Sequence, residues 1–291
     1  VPEVVAANRN HPFRIVSDGT SFYWTEYFGG SVNTCAVDGG CQGNPTLLAQ
    51  GSMAYDVAVE GTNLFWTDVG ANRVSRCTTS CANDSTLEFN AGLGGPTSIV
   101  ANATHFFWND SNRAIYSCPV TGCGPTPNTF VSGNYGLAYM AIDATSVYFM
   151  SSQLLRCPLS GCVNNTPEVL STDGVSGYGG IATDGVKVYY STYTSGEVRS
   201  CDVGGCGTGT VVASTPGGAP VALAVDACNV YWLDQVSHAL YGCPKTGCGT
   251  SPWVLASGMI DPVGIAVDRE YIYWTDRGVT TTNGSVMRLH K

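Results

Sequence analysis

The stretch Gly264 to Lys291, GIAVDREYIYWTDRGVTTTNGSVMRLHK, is a repeat unit, and the rest of the chain is built from degraded copies of it. An apolar run ends in Asp268, and the aromatic pair Tyr273-Trp274 follows, then Thr275 and Asp276. The pattern recurs at Tyr23-Trp24, Phe65-Trp66, Phe107-Trp108, Tyr148-Phe149, Tyr189-Tyr190 and Tyr231-Trp232, with second members 42, 42, 41, 41, 42 and 42 positions apart. Seven copies fill the 291 residues. Aromatic punctuation at this period predicts an all-β, seven-bladed β-propeller with four antiparallel strands per blade, forming one domain over residues 1–291.

Composition agrees with many short strands and tight turns: 36 glycines, 14 prolines and 15 tyrosines against only 12% charged residues. The net charge of −9 comes with no basic cluster, which makes nucleic acid and anionic membranes poor partners. No stretch approaches the roughly 20 apolar residues that cross a bilayer, so membrane insertion is not expected. Nothing at Val1 resembles a signal peptide.

Twelve of the thirteen cysteines fall into close pairs at one place in the repeat: Cys35 with Cys41, Cys77 with Cys81, Cys118 with Cys123, Cys157 with Cys162, Cys201 with Cys206 and Cys243 with Cys248. A zinc site needs two such pairs side by side, whereas successive pairs belong to different blades with no histidine in the same turn. The pairs are read as six disulfides, each closing its own hairpin, and cystines place the protein in the periplasm, outside the cell or on its surface.

Residues 2–7, PEVVAA, match PEVLST at 167–172 and PWVLAS at 252–257, which are fourth strands. The C-terminal copy stops at its third strand, so the N-terminal strand, within residues 1–7, is expected to complete the last blade. In the sixth repeat the strands are read as Pro220 to Asp226, Val230 to Asp234, Ala239 to Cys243 and Trp253 to Ser257, with the cystine turn before the last. Strand direction puts the loops between second and third strands, and the crossings between blades, on one rim, the top. Asp-containing turns and cystines lie on the bottom. Top loops vary, from 26–32 (EYFGGSV) and 192–198 (TYTSGEV) to 276–286 (DRGVTTTNGSV), and variable loops on a fixed scaffold are where binding usually resides.

YWTD at Tyr273 to Asp276, FWTD at Phe65 to Asp68, YWTE at Tyr23 to Glu26 and YWLD at Tyr231 to Asp234 resemble the YWTD repeats of lipoprotein-receptor propellers. The downstream G-x-V-x-R element agrees at Gly284 to Arg288. Propellers of this look also occur in bacterial secreted proteins. The resemblance implies the fold and a structural role for the acid that ends the motif. This chain departs from the receptor modules in having seven blades where they have six, and a cystine loop after the third strand.

Repeated residues are therefore read as structural. The acids Glu26, Asp68, Asp110, Asp234 and Asp276 are read as bonding backbone groups at strand ends, with a calcium or cationic-ligand collar as the alternative. Asp18, Glu60, Asp143, Asp184, Asp226 and Asp268 cap bottom turns. The aromatic pairs pack blade against blade, and Cys228, the odd thiol, is taken as a buried turn residue. The four histidines, His11, His105, His238 and His290, form no metal or triad pattern, and neither a metal nor a cofactor is expected.

Departures from the repeat are candidates for function. Four positions before the turn acid stand Gly180, Ala222 and Gly264 in the last three blades, but Arg14, Asp56, Ser98 and Tyr139 in the first four. Phe13 and Tyr55 precede the first two of these. A bare channel mouth on one side and a charged, aromatic one on the other suits an off-centre ligand pocket, though an Arg14 to Asp56 ion pair plugging the channel explains the same residues. The candidate ligand-binding set is Arg14, Tyr27, Phe28, Tyr55, Asp56, Tyr139 and Tyr178. The leading reading is a non-catalytic module that binds a protein or glycan on its top face. The alternatives are a lyase or hydrolase using Arg14 and Asp56, and a purely structural surface protein.

Overall fold

The computed structural model describes residues 1–41, 43–81, 94–111, 114–124, 126–133, 139–173 and 179–291, and the backbone of 87–89. The described residues form seven four-stranded antiparallel sheets, the blades of a β-propeller, and Val163–Asn165, one turn of 3₁₀ helix, is the only helical segment among them. The N-terminal strand β1 (Glu3–Arg9) precedes blade one, which is β2 (Pro12–Ser17), β3 (Ser21–Glu26), β4 (Ser31–Ala36) and β5 (Thr46–Gln50). Blade two is β6 (Ala54–Glu60), β7 (Asn63–Asp68), β8 (Arg73–Thr78) and β9 (Leu87–Phe89). Blade three is β10 (Ile99–Ala101), β11 (His105–Asn109), β12 (Ala114–Pro119) and β13 (Asn128–Ser132). Blade four is β14 (Met140–Ile142), β15 (Ser146–Met150), β16 (Leu154–Pro158) and β17 (Glu168–Ser171). Blade five is β18 (Ile181–Thr183), β19 (Lys187–Thr192), β20 (Glu197–Asp202) and β21 (Thr210–Ser214). Blade six is β22 (Pro220–Val225), β23 (Asn229–Asp234), β24 (Ala239–Pro244) and β25 (Trp253–Ser257), close to the strands read from sequence. Blade seven is β26 (Pro262–Val267), β27 (Tyr271–Asp276), β28 (Gly284–His290) and, as its fourth strand, β1. Glu3 lies opposite Arg288 and Ala6 opposite Val286, so both ends of the chain share one sheet, as the matching of residues 2–7 to fourth strands predicts.

The chain divides into two compact units, one made of Val1–Thr129 with Val263–Lys291, the other of Phe130–Pro262. In each, aromatic side chains of the second strands form the seams between blades. In the first unit, Phe22 of blade one stacks on Tyr273 of blade seven with ring centres 4.7 Å apart, and Phe65 of blade two on Phe106 of blade three at 4.5 Å. Trp24, Trp66, Trp108, Trp232 and Trp274 are fully buried, as the alternation of rings across covered sheet faces requires.

The threonine of the motif has a positional role that the repeat did not disclose. Its hydroxyl accepts from the first strand of its own blade and donates to the first strand of the next. Thr25 Oγ1 takes the Arg14 N–H at 3.1 Å and gives its proton to the Tyr55 carbonyl at 2.9 Å. Thr67 does the same between Asp56 and Thr97, and Thr275 between Gly264 and Phe13. Ser191 links Gly180 to Pro220 in the second unit.

The six cysteine pairs read from spacing lie at disulfide distance across their own hairpins, with Cα atoms 4.9 to 5.9 Å apart. In the first unit Cys35 faces Cys41, Cys77 faces Cys81 and Cys118 faces Cys123. In the second, Cys157 faces Cys162, Cys201 faces Cys206 and Cys243 faces Cys248. In the pairs of blades three and four the two members are not equally covered. Cys118 and Cys157, which stand in β12 and β16, are fully buried, whereas Cys123 and Cys162, beyond the turn, are half-buried; Cys41 and Cys81 are buried at 9% and 8% exposure. The Cys201–Cys206 and Cys243–Cys248 loops also reach the fourth strand of the preceding blade. The Leu170 carbonyl of β17 accepts from Cys206 N and Gly207 N, and the Val212 carbonyl of β21 accepts from Cys248 N. An open sheet edge is a liability, and these loops cover it.

Candidate functional site

The threonine links fix the first strands of blades seven, one and two side by side, and from them the departing side chains converge. Phe13 is at the centre, 7% exposed, with its carbonyl held by Thr275 at 2.7 Å. Its ring lies 4.5 Å from that of Tyr55 and 5.9 Å from that of Tyr27. Tyr27 continues to Phe28 at 4.8 Å and touches Tyr55 edge-on at 5.8 Å; Phe28 meets the His11 ring at 4.8 Å. The Tyr27 N–H bonds the His11 carbonyl, which ties the top loop after β3 to the start of β2. Five rings thus make one contiguous cluster that runs from the buried Phe13 to Phe28 at 53% exposure. His11 sits in left-handed backbone (φ 54°), a conformation uncommon for a residue with a side chain.

Two guanidinium groups flank the central ring. Arg14 lies 5.3 Å and Arg277 5.9 Å from the centre of Phe13, within the range of cation–π attraction. Arg14 also donates to the Val263 carbonyl at 2.8 Å, which turns it toward blade seven. Asp56 is buried at 8% exposure and accepts from Val57 N at 2.8 Å and Ile99 N at 3.0 Å, joining blades two and three. Burial pushes its carboxyl above the ordinary aspartate value, against the opposing charge of Arg14 and those hydrogen bonds.

Arg14, Tyr27, Phe28, Tyr55 and Asp56 therefore lie in one neighbourhood of the first unit. Tyr139 belongs to the second unit, half-buried against the cluster that holds Ala141, Tyr148 and Ile181. Tyr178 falls outside the described residues. Arg277 and His11 are members that sequence reasoning missed. Arg277 follows the acid that ends the repeat, so its place next to Phe13 is set by which strand neighbours which. Glycine at the corresponding place in other blades has a packing cause. A Cβ on Gly264 would stand 2.3 Å from the Phe13 carbonyl, and one on Gly180 2.6 Å from Leu223 N.

The repeated acids serve the backbone. Asp68 accepts from the N–H groups of Ser52, Met53 and Ala71, and Asp234 from those of Ala219, Val236 and Ser237. Glu26 is the variant: one methylene longer, it reaches the Trp24 indole N–H at 3.3 Å and pairs with Arg9 at 2.5 Å. The indole nitrogens of Trp66, Trp108 and Trp232 are buried with no partner among the described residues. The turn acids cap the N–H groups two and three residues on, as at Asp18, Asp143, Asp184, Asp226 and Asp268.

Cys228, expected to be buried, is exposed, because it stands at the tip of such a turn, where its N–H is capped by Asp226. Among the described residues no three His, Cys, Asp or Glu side chains gather into a metal site. No helix of the described residues is long and apolar enough to cross a membrane.

No family model and no curated protein matches the chain. Solved structures match it by fold. Virginiamycin B lyase from Staphylococcus aureus superposes with a TM-score of 0.77 at 14% identity, over 99% of this chain and 98% of that one. A streptogramin B lyase gives 0.77 at 12% identity, over 99% and 96%. A propeller in a nidogen/laminin complex gives 0.54 at 20% identity, over 66% and 76%.

Proposed function

We propose that this chain is a secreted or cell-surface, non-catalytic module that binds a protein or glycan ligand through the top rim of its first unit. The observation that carries the reading is the five-ring cluster around Phe13, flanked by Arg14 and Arg277 and exposed at Phe28. Tyrosine, phenylalanine and arginine concentrated at one place are what binding hot spots are made of. Six cystines support an oxidising location. The nidogen/laminin complex supplies a precedent for a propeller in a protein assembly. The test is a glycan and peptide array probed with wild type and Tyr27→Ala/Phe28→Ala. Retention by wild type and loss of at least about tenfold in the variant supports the reading, since a hot spot is worth about 2 kcal/mol; equal signals refute it.

The second reading is a lyase at the same rim, favoured by the buried Asp56 carboxyl beside Arg14 and by the lyase folds among the structural neighbours. Against it, Asp56 spends its oxygens on the Val57 and Ile99 amides. Opening of virginiamycin B by wild type, abolished in Asp56→Asn, would establish this reading; an intact compound would remove it for that substrate.

A further inference from the structure

The cystine loops that cover fourth strands fill a recurring socket, and within the second unit one socket differs from the others. In β17 and β21 a β-bulge leaves one residue unpaired, Leu170 and Val212, and that residue's carbonyl takes N–H groups of the following cystine loop at 2.9 to 3.0 Å. Two residues on, the Thr172 and Ser214 N–H groups donate to the Gly207 and Gly249 carbonyls at 2.8 and 2.7 Å. The loop segment runs parallel to the strand, Ser171 bridging Gly207 and Ala213 bridging Gly249. Both glycines have left-handed backbone, φ 68° and 59°, which explains why glycine stands there. So covered, Leu170 and Ser171 are 1% and 0% exposed, Val212 and Ala213 3% and 0%.

Strand β25 repeats the socket. Its register on β24 shifts at the same point, leaving Leu255 as the bulge residue, and Ser257 lies opposite Ala239 as Ser214 lies opposite Glu197. The shared register aims the Leu255 carbonyl and Ser257 N–H outward. Among the described residues neither has a hydrogen-bond partner there. Leu255 and Ala256 are half-buried where their counterparts are covered, and Trp253 and Val254 are 46% and 62% exposed. The seventh repeat has no cystine loop: Leu289, opposite Ile272, holds the place that Cys243 holds opposite Val230.

We propose that the outer edge of β25 is a docking site for an extended polypeptide segment of another chain, running parallel to β25 with glycine at the bridging residue. The two occupied sockets define the chemistry of the occupant, and β25 repeats their register. Recognition is by strand addition: backbone hydrogen bonds give affinity, and the Trp253 and Val254 side chains beside the bulge add apolar area. This site is independent of the aromatic rim.

The probe is the oxidised synthetic peptide of residues 241–252 (YGCPKTGCGTSP), the segment that fills the β21 socket, added at millimolar concentration to the intact chain while amide hydrogen exchange is followed. In the free chain the Ser257 amide is expected to exchange at least about 100-fold faster than those of Thr172 and Ser214. The peptide should slow Ser257 at least about tenfold, and the same peptide with valine in place of the bridging glycine should not. Ser257→Pro deletes the outward N–H, and Ala256→Arg keeps it but blocks the bridging position; both should abolish the effect. A Ser257 amide already protected in the free chain, no slowing by the peptide, or equal binding by both variants overturns the proposal. Protection that grows with protein concentration without peptide assigns the edge to a second copy and overturns it as well.

Discussion

Five tyrosine hydroxyls end on a carboxylate five residues upstream: Tyr23 on Asp18, Tyr148 on Asp143, Tyr189 on Asp184, Tyr231 on Asp226 and Tyr273 on Asp268. The two blades without an aspartate there, with Glu60 and Asn102, carry Phe65 and Phe107 instead of tyrosine. The pair therefore varies as a unit, a signal present in the seven copies that a reading of each position by itself passes over. Tyr148→Phe should cost about 1 kcal/mol, below the usual range for a hydrogen bond to a charged group because solvent reaches Asp143. Asp143→Asn/Tyr148→Phe, which copies Asn102 and Phe107, should cost less than the sum of the single changes in urea denaturation.

The same pairs set the pH limits of stability. At Asp184 burial opposes the charge, but the hydrogen bond from Lys245, the Lys187 and Val186 amides and the Lys245 charge outweigh it and bring the carboxyl down to about 2. Asp18 and Asp143 are lowered in the same way by their turn amides, threonines and tyrosines. A folded value below the unfolded one, about 3.9, gives stability that is complete above it and is lost as pH falls toward 2. On the alkaline side burial, then the neighbouring aspartate, pushes Tyr23 and Tyr148 up to about 12, so their contribution is lost as pH rises from about 10 through 12. Asp56, raised by burial, acts in the opposite sense to the turn acids: the folded state holds its proton more tightly, and stability falls as it ionises. A series of Tm values across pH should show both limbs, with Asp56→Asn flattening the plateau above about pH 4.

At the scale of the element, the cystine hairpin does two things, closing its own turn and capping its neighbour's edge. Closing six residues is worth about 2 kcal/mol by loop entropy. Cys243→Ala/Cys248→Ala should cost more than that and should raise hydrogen exchange at Ser214 in β21, because the loop that holds its N–H through Gly249 is loosened. Unchanged exchange at Ser214 would mean that the hairpin holds its shape unaided. The pairing of cysteines within hairpins was legible from spacing alone. Their contact with the previous blade was not, since sequence spacing carries no information about which surface a turn leans on. The same holds for Thr25: its place in the motif was plain, but that one hydroxyl aligns Arg14 with Tyr55 depends on two strands 30 residues apart lying side by side.

For the whole molecule, the period of about 42 residues specified seven sheets, and the match of residues 2–7 to fourth strands specified the use of the N-terminal strand to complete the last. The departures pointed to Arg14, Tyr55 and Asp56, because seven copies act as controls for one another. They did not point to Arg277 or His11, which stand in loops with no common alignment, and Cys228, rightly read as a turn residue, is exposed where burial was expected. In the proposed function repeated residues hold the blades and unrepeated ones meet a ligand. The most direct test is array binding by wild type, Tyr27→Ala/Phe28→Ala and Tyr148→Phe, each with its Tm. The account predicts that the rim variant loses binding while its Tm stays within a few degrees of wild type, and that Tyr148→Phe lowers Tm while binding is kept. Binding that survives in the rim variant and disappears in Tyr148→Phe would contradict it.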